Sequence, residues 1–170
     1  MSKKHTYLTN LVWTGNTGNG TKTYRGYSRA HEISVAGKPV IASSSDPHFR
    51  GDKSRYNPEE MIVASLSACH LLSYLHMCAS AGIVVIGYED EATGKMVETE
   101  DGGGHFTEVI LRPQVLISRE SDPEKATELH HKAHELCFIA CSVNFPVRTE
   151  PTIVVAEEKG EIAKADLRAV

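Results

Sequence analysis

The sequence lacks the features that mark several large functional classes. Its 18 lysines and arginines are outnumbered by 22 aspartates and glutamates, giving a net charge of -4, and a mildly acidic chain has little to offer a phosphate backbone. Nucleic acid is therefore not an expected partner. The start, MSKKHTYLTN, has a basic pair with no apolar run after it, and no later stretch reads as the ~18 uncharged apolar residues that span a bilayer. The expectation is a cytosolic protein that spans no membrane. Cysteine is scarce, with four in 170 residues. In a reducing compartment such thiols do not build a disulfide framework, so each is a packing residue, a metal ligand or a redox thiol. There is no internal repeat, low-complexity tract or interdomain linker, and the length suits one domain over residues 1–170.

What is present reads as an α+β fold: antiparallel sheets with a long central helix. TYLTNLVW, KTYRGYSRAHEISV and AGKPVIAS read as strands of an antiparallel meander, with Gly15, Gly18, Gly20 and Gly37 suited to the turns. The polar stretch SSSDPHFRGDKSRYNP then reads as a charged loop. A helix opens behind it, with Asn57 as cap, Pro58 at the first position, and Glu59 and Glu60 at the positive end of the dipole. Gly82 ends it. Its apolar stripe, from Met61 through Leu66, Leu71, Leu72 and Leu75 to Met77, is too wide for a helix with one face in water, so it is expected to be buried on most sides. IVVIGYEDEATGKMVETE and HFTEVILRPQVLIS read as two more strands. A second helix opens at Asp122 and Pro123 and ends near Cys137 to Cys141, and RTEPTIVVAEE supplies a last strand. The remainder, KGEIAKADLRAV, carries too few signals for an element.

Four groups of residues carry chemistry. Cys69 lies midway along the first helix, where a free cysteine commonly serves as a small buried hydrophobe. His70 follows it directly, but neighbours on a helix point about 100° apart, so the adjacency is not a Cys–His dyad. Cys78 lies on roughly the opposite face from Cys69, about 13 Å along the axis, and reads as packing. In HHKAHELCFIAC, the residues His130, His134, Cys137 and Cys141 form a possible zinc set, weighed against a solvated histidine face. Arg50, Lys53 and Arg55 in the preceding loop could hold a thiol as thiolate, and an arginine fork could hold a sulfur and a peroxide oxygen together. Glu59 could orient such an arginine. Within the helix it lies about 15 Å from Cys69, so it acts on the thiol only through an arginine or from a second subunit.

The stretch NPEEMIVASLSACH resembles the NPEE…AC motif of the OsmC/Ohr family, the osmotically inducible and organic hydroperoxide resistance proteins. The order also agrees, from the N-terminal meander to about Val155: strands, a loop with arginine, Asn-Pro-Glu at a helix start, a cysteine ten residues after that glutamate, and a second cysteine in AHELC. The resemblance implies an intertwined α+β homodimer with two active sites at the subunit interface. It also implies a thiol peroxidase that uses no metal or flavin. By position, Cys69 resembles the peroxidatic cysteine and Cys137 the resolving one. Glu59 matches the family's glutamate, and Arg50 matches the loop arginine, with Arg55 and Arg25 as competitors. The implied chemistry is attack of the Cys69 thiolate on an organic hydroperoxide, condensation of the sulfenic acid with Cys137, and reopening of the disulfide by a dithiol reductant of lipoyl type. Apolar residues along the helix favour an alkyl or fatty-acid hydroperoxide over hydrogen peroxide. The sequence departs from the pattern after the second cysteine: the family commonly has CP there, whereas this chain has CFIACSV, which adds Cys141 as an extra thiol and a second candidate for resolving Cys69. Two readings of other classes compete, a zinc-binding structural protein and a module of the same fold that holds a small apolar ligand.

Overall fold

A computed structural model describes residues 3–157; the tail from 159, where the sequence offers no element, lies outside them. The chain divides into two compact units, the first ending at Met61 and the second starting at Ile62.

The first unit holds the expected antiparallel meander, with strands β1 (Asn10–Trp13), β2 (His31–Ser34) and β3 (Ile41–Ser43) in that order. Its strands are shorter than the sequence suggests, and residues 14–30 form a compact loop where a strand was expected from Lys22 onward. The cause is a local side-chain lock. The Arg29 guanidinium donates to the carbonyls of Tyr24 and Tyr27, both at 2.7 Å, and sits over both rings at 4.3 and 4.2 Å. A cation held between two aromatic faces and their own carbonyls offsets the loss of ladder hydrogen bonds. Trp13 Nε1 closes the loop by donating to the Ser28 carbonyl at 2.8 Å.

Helix α1 (Pro58–Ala81) begins and ends where its sequence signals stand. Asn57 Oδ1 accepts from the Glu60 N–H at 2.7 Å and Glu60 Oε2 accepts from the Asn57 N–H at 3.1 Å, a reciprocal capping box. At the other end Gly82 takes φ of 77°, and the Ile83 N–H returns to the Cys78 carbonyl at 2.9 Å.

In the second unit, each long strand expected from the sequence is divided in two and shared between two three-stranded sheets. The residues from Ile83 give β4 (Val85–Asp90) and β5 (Thr93–Glu98); those around His105 give β6 (Gly104–Leu111) and β7 (Pro113–Ile117); the last stretch gives β8 (Val147–Thr149) and β9 (Thr152–Val155). One sheet has the order β4-β7-β9 and the other β5-β6-β8. The breaks stack into one polar corner. Asp90 Oδ1 accepts from the Arg112 N–H at 2.7 Å, Arg112 Nε donates to Glu150 at 3.1 Å, and Arg112 Nη1 donates to Thr93 at 2.9 Å. Pro113 and Pro151 stand at two of the three breaks, where a residue without N–H interrupts a ladder at little cost. The sheets are mixed rather than antiparallel throughout: β6 with β8 and β7 with β9 pair in parallel. Helix α2 (Pro123–Leu136) lies between β7 and β8 and supplies the crossover that parallel pairing requires. Asp122 caps it by accepting from the Glu124 and Lys125 N–H groups.

Two cores result. Tyr74 and Cys78 of α1 pack with Val115, Ile117, Ala126, Leu129 and Ala133, while Leu66 packs with Val109 and Leu111. The helix was expected to be buried on most sides, yet in the single chain only Leu66, His70, Tyr74 and Cys78 are fully buried. These four lie at i, i+4 spacing, the line that one packed face of a helix presents. Leu72 is 68% exposed. By length and composition alone α1 could cross a membrane. Its buried line carries His70 and Tyr74 hydrogen-bonded within the second unit, which is the pattern of a core helix.

Candidate active site

The second unit brings Cys69 and Cys137 together. Cys69, half-buried on α1, and Cys137, 1% exposed where α2 stops, have their thiols within hydrogen-bonding reach of each other, and both are free. Cys137 follows the last helical residue, in an extended conformation with ψ of 104°. This turn directs the Ala140 N–H onto its sulfur at 3.5 Å. Burial pushes the Cys137 thiol up to about 11, and the hydrogen bond with Cys69 adds to the rise, while the N–H groups of Ala140 and Ile139 work against it. The sulfur of Cys137 therefore sits among backbone donors in a dry place, protonated until a reaction needs it.

Cys78 packs in the core beside Tyr74, and burial raises its thiol. This is the packing role read from the sequence. His70 is also packed, and it has a partner that the sequence did not reveal. His70 Nε2 and His130 Nδ1 share a hydrogen bond of 2.9 Å, and the Tyr74 ring stacks on His130 with centroids 3.8 Å apart. Burial holds His70 down to about 4 and His130 down to about 3, so both imidazoles are neutral at ordinary pH. His130 was weighed as part of a solvated face or a zinc set, and it is instead 2% exposed.

The four residues of that zinc set do not converge. His130 pairs with His70, Cys137 with Cys69, and the Cys141 thiol donates to the Glu135 carbonyl at 3.5 Å. His134 borders a cavity of about 210 Å³ together with Arg148 and Thr149. Among the described residues, no three His, Cys, Asp or Glu side chains are grouped to hold a metal ion.

The remaining predicted residues belong to the first unit. Arg50 is exposed and follows the short turn Pro47–Phe49 with φ of 65°, the only non-glycine residue at positive φ among those described. An unbranched but non-glycine residue is held there at a cost of order 1 kcal/mol. Arg55 is more enclosed: its Nε faces Asp52 at 3.7 Å, while its Nη1 is buried with no hydrogen-bond partner. Glu59 Oε2 is likewise buried and unpartnered. A charged group left unsatisfied in the interior is costly, and such groups mark places where a ligand or a second chain completes the bonding. Arg25 is exposed in the loop between β1 and β2. The signal that ranks these arginines is burial with an orphaned donor, which depends on tertiary packing and is not visible in the sequence.

Comparison with known proteins agrees with this architecture. Residues 51–152 match the model of the OsmC family, described as OsmC-like protein. No curated protein matches the sequence. An OsmC-like protein of unknown function from Vibrio cholerae is 35% identical, with a TM-score of 0.79 over 88% of this chain and 100% of that one. An organic hydroperoxide resistance protein from Elizabethkingia anophelis is 20% identical, with a TM-score of 0.64 over 91% of this chain and 100% of that one. The organic hydroperoxide resistance protein OhrB of Bacillus subtilis is 23% identical, with a TM-score of 0.60 over 86% of this chain and 98% of that one. The latter two show a shared fold. With a family model covering more than half of its length and a 35% identical relative aligned over nearly all of it, the chain belongs to the OsmC-like family.

Proposed function

We propose that this protein is a cysteine-based peroxidase that reduces organic hydroperoxides to alcohols in the cytosol, and that it works as a homodimer. The observation that carries the reading is that Cys69 of α1 and Cys137 just beyond α2, far apart in sequence, lie close enough for the Cys69 thiol to act on that of Cys137. That is the arrangement a peroxidatic and a resolving thiol need. The Cys69 thiolate attacks one oxygen of ROOH, the O–O bond breaks, and ROH leaves with a proton, so the sulfur becomes a sulfenic acid. The Cys137 sulfur then displaces water from it and a Cys69–Cys137 disulfide forms. A dithiol of lipoyl type returns both thiols. The names of the Elizabethkingia and Bacillus relatives support a hydroperoxide as substrate.

An arginine of the loop before α1 holds the peroxide and favours the thiolate, and Glu59 orients it. Arg55 has the stronger claim over Arg50, because its Nη1 is a buried donor without an acceptor. The dimer is supported by apolar surface that the single chain leaves bare: Leu72 at 68%, and on β1 Leu11 at 60% and Val12 at 51%.

The test is turnover of an organic hydroperoxide with a dithiol reductant. Cys69→Ser abolishes it, while Cys78→Ser, a change within the core, leaves it nearly intact. Equal loss in the two variants would mean that packing, not chemistry, was removed.

A further inference from the structure

Cys141 is the one cysteine that neither packs in the core nor meets Cys69, and it is exposed. It stands four residues beyond Cys137, on the short turn Ala140–Ser142, and its N–H donates to the Cys137 carbonyl at 3.0 Å. That bond closes the same ring as one helical turn, which holds the two α-carbons about 6 Å apart, within the span a disulfide bridges. Cys137 is extended, with ψ of 104°, and the Cys141 thiol rests on the Glu135 carbonyl at 3.5 Å, so the exposed turn must rearrange to let the sulfurs meet. A bridge formed in this way is strained and accessible, and bridges of that kind are the readily reduced ones.

Cys69 is half-buried and Cys137 buried, so their disulfide is open to attack at the Cys69 sulfur and closed at the Cys137 sulfur, and Cys141 offers a more exposed exit. Once Cys69 and Cys137 are joined, one sulfur of the disulfide belongs to a residue 1% exposed. A thiolate must approach a disulfide sulfur along the S–S axis, and a bulky dithiol has little room to do so there. An exposed thiol on the neighbouring turn has no such difficulty.

We propose that Cys141 is a third redox residue that passes the disulfide from the buried pair to the surface. The proposal rests on the reading of Cys69 and Cys137 as a redox pair. The Cys141 thiolate attacks the Cys137 sulfur, the Cys69–Cys137 bond breaks, and Cys69 leaves as a thiolate ready for the next hydroperoxide. The new Cys137–Cys141 disulfide carries the same two oxidising equivalents to the outside. A dithiol reductant then attacks the Cys141 sulfur and expels the Cys137 thiolate, and the second thiol of the reductant closes on the resulting mixed disulfide to release Cys141. The Ala140 and Ile139 N–H groups that face the Cys137 sulfur receive the charge of that leaving thiolate.

The experiment oxidises the full chain with diamide, so that it does not depend on hydroperoxide turnover, then alkylates free thiols and maps the bridges. Chymotryptic cleavage after Phe138 separates Cys137 from Cys141 and makes a bridge between them visible as linked peptides. The wild type is expected to show both Cys69–Cys137 and Cys137–Cys141. Cys141→Ser and Cys141→Ala are expected to show only the first, and to be reduced by dihydrolipoamide about tenfold more slowly than the wild type. Absence of the Cys137–Cys141 bridge in the wild type, failure of the Cys69–Cys137 bridge to form, or reduction of both variants at the wild-type rate would each overturn the relay. A parallel arm with one equivalent of cumene hydroperoxide separates the two ideas: if diamide gives both bridges and the hydroperoxide gives none, the peroxidase reading fails and the relay stands.

Discussion

The buried histidine pair makes the stability of this protein steeply dependent on acid. His70 and His130 are 1% and 2% exposed. Burial comes first among the causes that lower both groups. Asp90 pulls His70 up in part, while His134 acts against a charge on His70, and His70 and His131 act against one on His130. In the folded chain the midpoints are about 4 for His70 and about 3 for His130. In the unfolded chain both return to about 6.5. A base whose folded midpoint is depressed stays neutral in the native state while the unfolded state takes up protons. Stability is therefore full above the unfolded midpoint, falls as pH drops below about 6.5, and levels off only below the folded midpoints. At pH 5 the protonation of an ordinary histidine is worth about 2 kcal/mol, so the pair removes about 4 kcal/mol relative to slightly alkaline pH. Against a total of about 5–15 kcal/mol for a typical domain, that is a large share.

Urea unfolding at pH 7.5 and pH 5 measures this loss, in the wild type and in His70→Leu/His130→Leu. The comparison uses the difference between the two pH values within each protein, so the variant's own stability and the titration of shared carboxylates cancel. The wild type is expected to lose about 4 kcal/mol more than the variant over that interval. Equal losses would refute the reasoning. Should the variant not fold, proton NMR of the wild type decides: two of the nine histidines keep neutral ring shifts down to pH 5, and titration of all nine near 6.5 would show that the pair is not held neutral.

Three further outcomes are expected. Iodoacetamide at pH 8 alkylates exposed Cys141 first and Cys137 and Cys78 last, since burial both covers and raises the last two thiols; Cys137 reacting as fast as Cys141 would contradict its placement. Arg55→Ala lowers hydroperoxide turnover more than Arg50→Ala, and Arg55→Lys recovers less than half of the loss because it keeps the charge without the fork; the reverse order of harm would return the role to Arg50. Light scattering at micromolar concentration gives the mass of two chains, while a monomer would leave the bare apolar residues of α1 and β1 unexplained.

The parts of the fold legible in the sequence are those set by neighbours along the chain. Both helices start, and α1 stops, at their marked residues because a cap acts over three or four positions: Asn57 with Glu60, Asp122 with Glu124 and Lys125, Gly82 after Ala81. The division of each long strand was not legible, because the corner is made by residues from three separate segments, Asp90, Arg112 and Glu150. Pro113 and Pro151 were the available signal, since proline inside an apparent strand argues for a break. Parallel pairing was hidden for the same reason, as it depends on where the chain returns after α2. In the site, the cysteine motif of α1 and the AHELC segment pointed to Cys69 and Cys137, but no spacing rule brings two helices together. The burial of His130 was missed because HHKAH looks solvated when read alone, and only its contact with His70 and Tyr74 shows which of the three histidines turns inward.

The same contacts explain how a half-buried thiol is held toward a fully buried one. Between α1 and α2 the contacts run antiparallel: the Tyr74 hydroxyl donates to the Ala126 carbonyl at 3.1 Å, His70 meets His130, and Cys69 meets Cys137. The first two contacts are one turn apart on each helix, which fixes the rotation of α1 against α2. Cys69 stands one residue before His70, so its side chain leaves the helix about 100° away from the buried line, at the edge of the packed face and within reach of solvent. Had α2 continued as a helix, position 137 would lie about 10 Å beyond His130 along its axis. It does not continue: the extended backbone at Cys137 and the hydrogen bond from the Ala140 N–H turn the sulfur back to Cys69. A neutral histidine pair suits this positioning role better than a salt bridge would, because it forms a directional bond at 2.9 Å without placing a net charge beside the reacting sulfurs. The cysteine–histidine adjacency in the sequence is thus no catalytic dyad. The histidine sets the rotation of the helix, and the cysteine beside it takes its direction from that rotation.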